Sequence, residues 1–519
     1  PYPARVRSRP SRPALLATLT VAAALIGASC STGGDGTGAS TTTEPPSSLP
    51  PEGLAPEGPA PGESAERAEE PPEPAWVVQV GGAGDDTLAS VTGRNDSVLA
   101  VGDTTAELGG LHSGGSDGVV LVVDTEGEVL SLTQSGAPFD DRPRAVGFGS
   151  NSDAGDVTIA CGSTTSALGG PNAGLGDAWC ARVGETDLES VHQQGSTDDD
   201  GLLAVALDPE AAAGESGAVG YAAGFSDGLF PGASDTSAGS LGGRDAMFWQ
   251  LDAQGFPVWI RQFGTPAGDS GEAAAVTSDG DGIIAGRTEG DLDGRSAGGT
   301  DAFVARFDGE GLPRWTVQQG SEMEDWTSGV AVAGDPTQGT ETILTVGGTT
   351  GSLAPVLGAD VTSPLDAPRA DGGEPARDNA GSTDALVSAW DATGDGIWTV
   401  QLGTPGVDEA IAVASDGQTV LVAGSTDGAL ATNGDPSAGG TDGFLAAVDR
   451  DTGTLRWITQ FGTAGEDRVT AITTTEDGLV VVSGTTDGAI GEQPNAGGQD
   501  GYLIAFPLPS AGGAVASAL

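Results

Sequence analysis

The sequence predicts an all-β fold: a seven-bladed β-propeller of four-stranded antiparallel blades, with an N-terminal strand completing the last blade. Three observations carry this. A pattern W-x-x-Q-x-G-x4-D returns seven times, with 55 to 83 residues between successive glutamines, which is too long for a solenoid repeat and right for a blade with loops. A second aspartate recurs seven times at the start of a short apolar run. With 87 Gly, 32 Pro and 5% aromatics among 519 residues, the composition suits short strands and tight turns.

In chain order, Arg5, Arg7, Arg9 and Arg12 precede an apolar run over 14–26, and the small residues Gly27, Ala28 and Ser29 lead into Cys30. That is the order of a signal peptide. Residues 1–30 resemble a bacterial lipoprotein signal, although Gly27 stands where that family usually carries Leu. The resemblance implies lipidation at Cys30, export, and anchoring to the cell membrane through an N-terminal lipid; the alternative is a plain secretory cleavage nearby and a secreted chain. Residues 31–75 are rich in Gly, Ser, Thr, Pro and Glu and have too little apolar surface to offset the entropy of ordering, so they are expected to form a tether. Residues 76–513 are expected to form the propeller and 514–519 a short tail.

The repeat glutamines are Gln79, Gln134, Gln193, Gln262, Gln318, Gln401 and Gln460, each followed two residues later by glycine, from Gly81 to Gly462. Five residues past each glycine stands an aspartate: Asp86, Asp141, Asp200, Asp269, Asp325, Asp408 and Asp467. Trp76, Trp259, Trp315, Trp398 and Trp457 hold the tryptophan position, with Ser131 and Ser190 in the second and third copies. The second aspartate set is Asp117, Asp177, Asp245, Asp301, Asp384, Asp442 and Asp500. Apolar runs such as 119–123 and 302–307 follow it, and several end in D-x-x-G, as at Asp124 to Gly127 and Asp308 to Gly311. This is strand, tight hairpin, strand.

The ordered set W-x-x-Q-x-G, G-x-T, G-x-D-A-F or G-x-D-G-F, then D-x-x-G, resembles the seven-bladed β-propeller (SBBP) repeat family over residues 76 to about 506. G-x-T ends in Thr164, Thr288, Thr426 and Thr486; the third unit departs with Gly224-Phe225-Ser226, and the second lacks D-x-x-G. In a propeller W-x-x-Q would be the outermost strand. The segment from Trp76 precedes any inner strand, and the last unit runs into Pro507 and Pro509 after its third. The N-terminal strand is therefore expected to close the ring by completing the last blade.

The chain carries 20 basic and 74 acidic residues, a formal net charge of −54, and every basic residue except the two histidines is arginine. Nucleic acid is thereby disfavoured as a partner, and a self-repelling, monomeric surface is expected. Without lysine there is neither a Walker phosphate loop nor a Schiff base. His112 and His192 are the only histidines, too few for a histidine metal cluster. G-x-S-x-G at Gly294 lies in a loop, not at a strand-to-helix elbow. Asp449 to Trp457 looks like the docking motif of quinoprotein propellers but occurs once, and is read as a hairpin.

The seven aspartates of the first set should circle one channel mouth. At about 8 Å and an effective dielectric of about 20, neighbouring charges repel by roughly 2 kcal/mol. Either backbone N–H groups in each turn compensate them, or hard cations such as Ca²⁺ do. The second set is expected to cap the turn entering the third strand. Cys161 and Cys180 fall on neighbouring strands, as a cross-strand disulfide or as two buried thiols.

Long loops on a rigid ring are where binding usually resides, and residues 351–382 form the longest. The expectation is a cell-surface scaffold whose loop face binds a protein or glycan. An enzyme on a propeller (a quinone-dependent oxidoreductase or a glycan-acting one) and an envelope assembly factor are the alternatives.

Overall fold

The computed structural model describes residues 70–151, 155–184, 188–208, 217–235, 242–334, 340–353, 379–431, 438–491 and 494–508. The signal-like segment with Cys30, most of the expected tether, most of the long loop at 351–382 and the tail at 514–519 lie outside them. Among the described residues there is no helix, and hence none long and apolar enough to cross a membrane.

Seven antiparallel sheets follow one another along the chain and form a ring of seven blades. Blade 1 comprises Ser90–Gly93, Ser97–Thr104, Asp117–Asp124 and Val129–Ser135. Blade 4 repeats the plan with Gly282–Thr288 and Asp301–Phe307 as its middle strands. The second and third units, which depart from the sequence pattern, still form complete blades. In blade 3 the short segment Ser234–Asp235 adds a parallel fifth strand against Pro257–Phe263. The first strands of successive blades pack side by side all the way round, which places them at the ring axis.

Blades stand with both faces covered, so the second and third strands are buried nearly end to end, as in Ser97–Thr104 and Asp301–Phe307. This is why their sequences read as continuous apolar runs instead of alternating. Seven hydrophobic clusters result, each between two adjacent blades. Toward the axis the blades converge, and small residues such as Ala273, Ala275 and Ala410 fill the narrowing space.

The ring closes through the N-terminal strand. Trp76–Val80 pairs antiparallel with Asp500–Pro507, Trp76 opposite Ala505 and Val80 opposite Gly501, and supplies the outermost strand of blade 7.

In four blades the tryptophan of W-x-x-Q latches the blade to the next. Its indole N–H donates to a carbonyl in the hairpin between the third and fourth strands of the following blade: Trp76 to Thr125 at 2.9 Å, Trp259 to Gly309 at 3.0 Å, Trp315 to Ala392 at 3.1 Å and Trp398 to Arg450 at 2.7 Å. The hairpin glycine lies against the ring; at Gly394 a Cβ would stand 2.9 Å from Trp315, and its φ of +87° independently favours glycine. Blades 1 and 2 carry Ser131 and Ser190 in place of the tryptophan; the next hairpin lacks D-x-x-G in blade 2 but keeps it in blade 3, as Asp252 to Gly255.

Candidate functional site

Both aspartate sets lie at one end of the blades, where the second-to-third-strand loops and the interblade connections emerge. Each blade builds the same four-residue polar module there. In blade 2, Asp141 opens the first strand opposite Thr164 at the end of the second, and Thr164 stands opposite Asp177 at the start of the third. Thr164 donates to Asp141 Oδ1 at 2.5 Å, and Gln193 on the fourth strand donates from Nε2 to Asp177 Oδ2 at 2.8 Å. Registers place Asp86–Thr104–Asp117, Asp200–Ser226–Asp245, Asp269–Thr288–Asp301, Asp325–Thr349–Asp384, Asp408–Thr426–Asp442 and Asp467–Thr486–Asp500 alike. Gln79, Gln134, Gln262, Gln318, Gln401 and Gln460 donate to the third-strand aspartates at 2.7 to 2.9 Å.

All fourteen aspartates are buried, and their charge meets donors within the chain. Each first-set Oδ2 accepts the backbone N–H four residues earlier, from Gly82 to Asp86 at 2.6 Å through Thr463 to Asp467 at 2.6 Å. The hydroxyls of Thr104, Ser226 and Thr426 donate to Asp86, Asp200 and Asp408. Six of the second set take a backbone N–H in the same i−4 relation, as Ala297 does for Asp301 at 2.8 Å. Burial nevertheless holds the Asp86, Asp141, Asp200, Asp269 and Asp384 carboxyls above the ordinary carboxylate range, against the pull of these hydrogen bonds. Nearby aspartates such as Asp500 for Asp86 and Asp117 for Asp141 add to the rise.

The module explains both motif glycines. A Cβ on the glycine of Q-x-G would stand 1.9 Å from Asp500 Oδ1 at Gly81, 2.3 Å from Asp117 Oδ1 at Gly136 and 1.9 Å from Asp301 Oδ1 at Gly320. A Cβ on the glycine of G-x-T would meet a first-strand carbonyl, 2.0 Å away at Gly286 and 1.9 Å at Gly347. In blades 2 to 7 a bulge two or three residues past the aspartate accompanies that close approach.

The remaining sequence candidates fall in separate places. Cys161 and Cys180 are register partners on the second and third strands of blade 2 and are joined as a disulfide. His112 Nδ1 lies 3.3 Å from Asp117 Oδ2, whereas His192 packs against Trp249 and Phe256, and burial lowers it below the usual imidazole range. Apart from those candidates, Asp279 and Asp281 are held by Arg306 at 2.6 and 2.8 Å in a clamp that also reaches Glu341 of blade 5. Among the described residues, no three His, Cys, Asp or Glu side chains gather in a metal-binding group.

A second layer lies beside the module and differs in every blade. The residue after each first-strand aspartate pairs across the strands with the middle residue of G-x-T: Arg142 with Ser163, Gly201 with Phe225, Ser270 with Arg287, Trp326 with Gly348, Glu409 with Ser425 and Arg468 with Thr485. In blade 1 Thr87 Oγ1 donates to Asp103 at 2.8 Å. Each of the six register pairs sets a large side chain against a small one. Gly348 is the clearest case, since a Cβ there would stand 2.4 Å from the Trp326 ring.

This layer gathers scarce cations at the inner strands. Arg287 faces Glu272 at 3.4 Å and Arg468 faces Glu466 at 3.1 Å, with side chains 52% and 58% exposed. Trp326 Nε1 donates to Glu409 Oε1 at 2.8 Å, joining blades 5 and 6. Burial raises the Glu409 carboxyl, while the Trp326 N–H, Arg468 of blade 7 and Arg287 of blade 4 oppose the rise. Glu409 is the second residue of the first strand of blade 6, directly after the module aspartate Asp408. Sequence reasoning missed this layer. Its signal was available as the position that varies, T, R, G, S, W, E, R, directly after seven identical aspartates.

No family model matches the chain. Over 200 residues it is 27% identical to the regulatory protein FlaEY of Caulobacter vibrioides, a match that takes in 36% of this chain and 19% of that protein. Among solved structures, Sqt1 from Chaetomium thermophilum is similar with a TM-score of 0.41 and 12% identity, covering 83% of this chain and all of that one. YCF48 bound to D1 peptide is similar with a TM-score of 0.38 and 9% identity over 86% of this chain and 98% of that one.

Proposed function

We propose that this chain is an exported, lipid-anchored propeller of the SBBP-repeat kind that works as a monomeric binding scaffold at the cell surface, presenting its loop face to a protein or glycan. One observation carries the reading. The residues that recur seven times are engaged with one another in the modules, so individuality is left to the variable layer at the channel mouth and to the loops beside it. Rigid frames with variable rims suit recognition. The signal-like order ending at Cys30 and the composition that follows support export and a tether.

The test is capture of a protein and glycan panel by the full chain, compared with a variant lacking residues 354–378 and carrying Arg287→Gln and Arg468→Gln. Capture should be lost while the melting temperature is kept. Undiminished capture would place the binding surface elsewhere.

A further inference from the structure

We infer that the channel mouth between blades 4 and 7 is a binding site for a small sugar acid, a hydroxylated ring bearing a single carboxylate. The inference rests on the scaffold reading and names the ligand class of its rim.

The side chains present the matching chemistry. Arg287 and Arg468 come from blades 4 and 7, and each is more than half exposed with one ion-pair partner among the described residues. A guanidinium has five donors in a planar fork, so each keeps N–H groups for a carboxylate, which it grips in bidentate fashion. Trp326 and Glu409 come from blades 5 and 6, which lie between those two in ring order. The half-buried indole offers an apolar surface to the C–H face of a ring. Trp326 donates its one N–H to Glu409 Oε1, which orients the carboxyl and leaves Oε2 to accept a ligand hydroxyl.

Blade 5 is modified for this arrangement at two positions at once. Trp326 replaces the small or polar residue found after the aspartate in several other blades, and Gly348 opposite is the only middle residue of G-x-T without a side chain. The second change is required by the first, since any side chain at 348 meets the indole. Neither change serves the module, whose aspartate, threonine and glutamine are retained in blade 5 as Asp325, Thr349 and Gln401.

The surroundings select the size of the ligand. Asp85, Asp140, Asp199, Glu324 and Glu466 occupy the position before the first-strand aspartate in five of seven blades, and the whole chain carries −54. Repulsion by such a rim grows with the charge of the ligand, so it acts most on nucleic acid and acidic peptides and least on a compact monoanion.

The experiment is calorimetric titration of the full chain with galacturonate, with galactose and acetate as controls that each keep one feature. Galacturonate should bind saturably and at least tenfold more tightly than either control. Arg287→Gln with Arg468→Gln should weaken it at least tenfold, and Trp326→Leu severalfold, each with an unchanged melting temperature. Equal binding of galactose, or affinity untouched by the arginine changes, overturns the assignment. Capture of a protein or neutral glycan that ignores the arginine changes overturns this inference and leaves the scaffold reading standing; failure to capture any ligand counts against both.

Discussion

Gln79 Nε2 donates to Asp500 Oδ2 at 2.9 Å, although 421 residues separate the two. The bond is the same one that Gln134 makes to Asp117 within blade 1, over a separation of 17. Blade 7 is therefore chemically equivalent to the others, and the ring has no open end among the described strands. Removing residues 76–82 deletes an outer strand, the Trp76 latch and this hydrogen bond together. The melting temperature, followed by circular dichroism, should fall by roughly 10 °C or more, and Gln79→Leu alone should remove about 1–3 kcal/mol.

A motif glycine and a non-motif glycine yield a sharper contrast. At Gly136 a Cβ would overlap Asp117 Oδ1 at 2.3 Å, while at Gly309 it would meet nothing within 4 Å. Gly136→Ala should destabilise by about 1–3 kcal/mol through overpacking. Gly309→Ala should stay within about 0.5 kcal/mol of the parent. Urea denaturation of both variants decides between this account and one in which the glycines merely loosen turns.

Stability should rise as pH falls from neutral toward the raised pKa values of the module. Asp86, Asp141, Asp200, Asp269 and Asp384 have folded-state values above the ordinary one, so the native state binds protons first. Their contribution is complete below the unfolded value near 4 and is lost as pH rises through the folded values. Asp279, Asp391 and Asp449 act oppositely. Burial would raise them, but hydrogen bonds, and for Asp279 and Asp449 the guanidinium groups of Arg306 and Arg456, hold them low. Their stabilisation is present above the unfolded value and lost as pH falls through their depressed values. Calorimetric melts should therefore peak on the acid side of neutral and collapse only below the ordinary carboxylate range.

Calcium gives a separate check on the first-set aspartates. Their Oδ2 atoms already accept backbone N–H groups at 2.5 to 2.6 Å. Melts of the full chain should respond to Ca²⁺ no more than to Mg²⁺ at matched ionic strength. A saturating, Ca²⁺-specific rise, worth about 2.7 kcal/mol at a hundredfold excess over Kd, would reassign the carboxylates as ligands.

What could be read from the sequence follows from which contacts repeat. The order Gln, Gly, Asp was visible because the same clash and the same hydrogen bonds recur in every blade, so the same residues do too. The outer strand and its closure at Trp76 followed from the same regularity. Partner identity was not visible: nothing in the letters shows that Gln134 reaches Asp117 while Asp86 pairs with Thr104, because these meet only across strands. Trp326 and Gly348 illustrate the limit best. Each looks like an irregularity on its own, and their dependence on each other exists only in the register that sets them opposite.

Arg287 and Thr288 are adjacent on one strand and belong to different layers, so they separate architecture from recognition most directly. The measurement is a melt and a galacturonate titration on Thr288→Val and Arg287→Gln. Thr288 Oγ1 accepts the Gly290 N–H at 3.0 Å and faces Asp269 in register. Thr288→Val should lower stability by about 1–2 kcal/mol with affinity unchanged, and Arg287→Gln should lower affinity with stability unchanged. A stability loss at Arg287 equal to that at Thr288, or an affinity that falls only with Thr288→Val, would contradict the division of the propeller into a repeated frame and a variable binding rim.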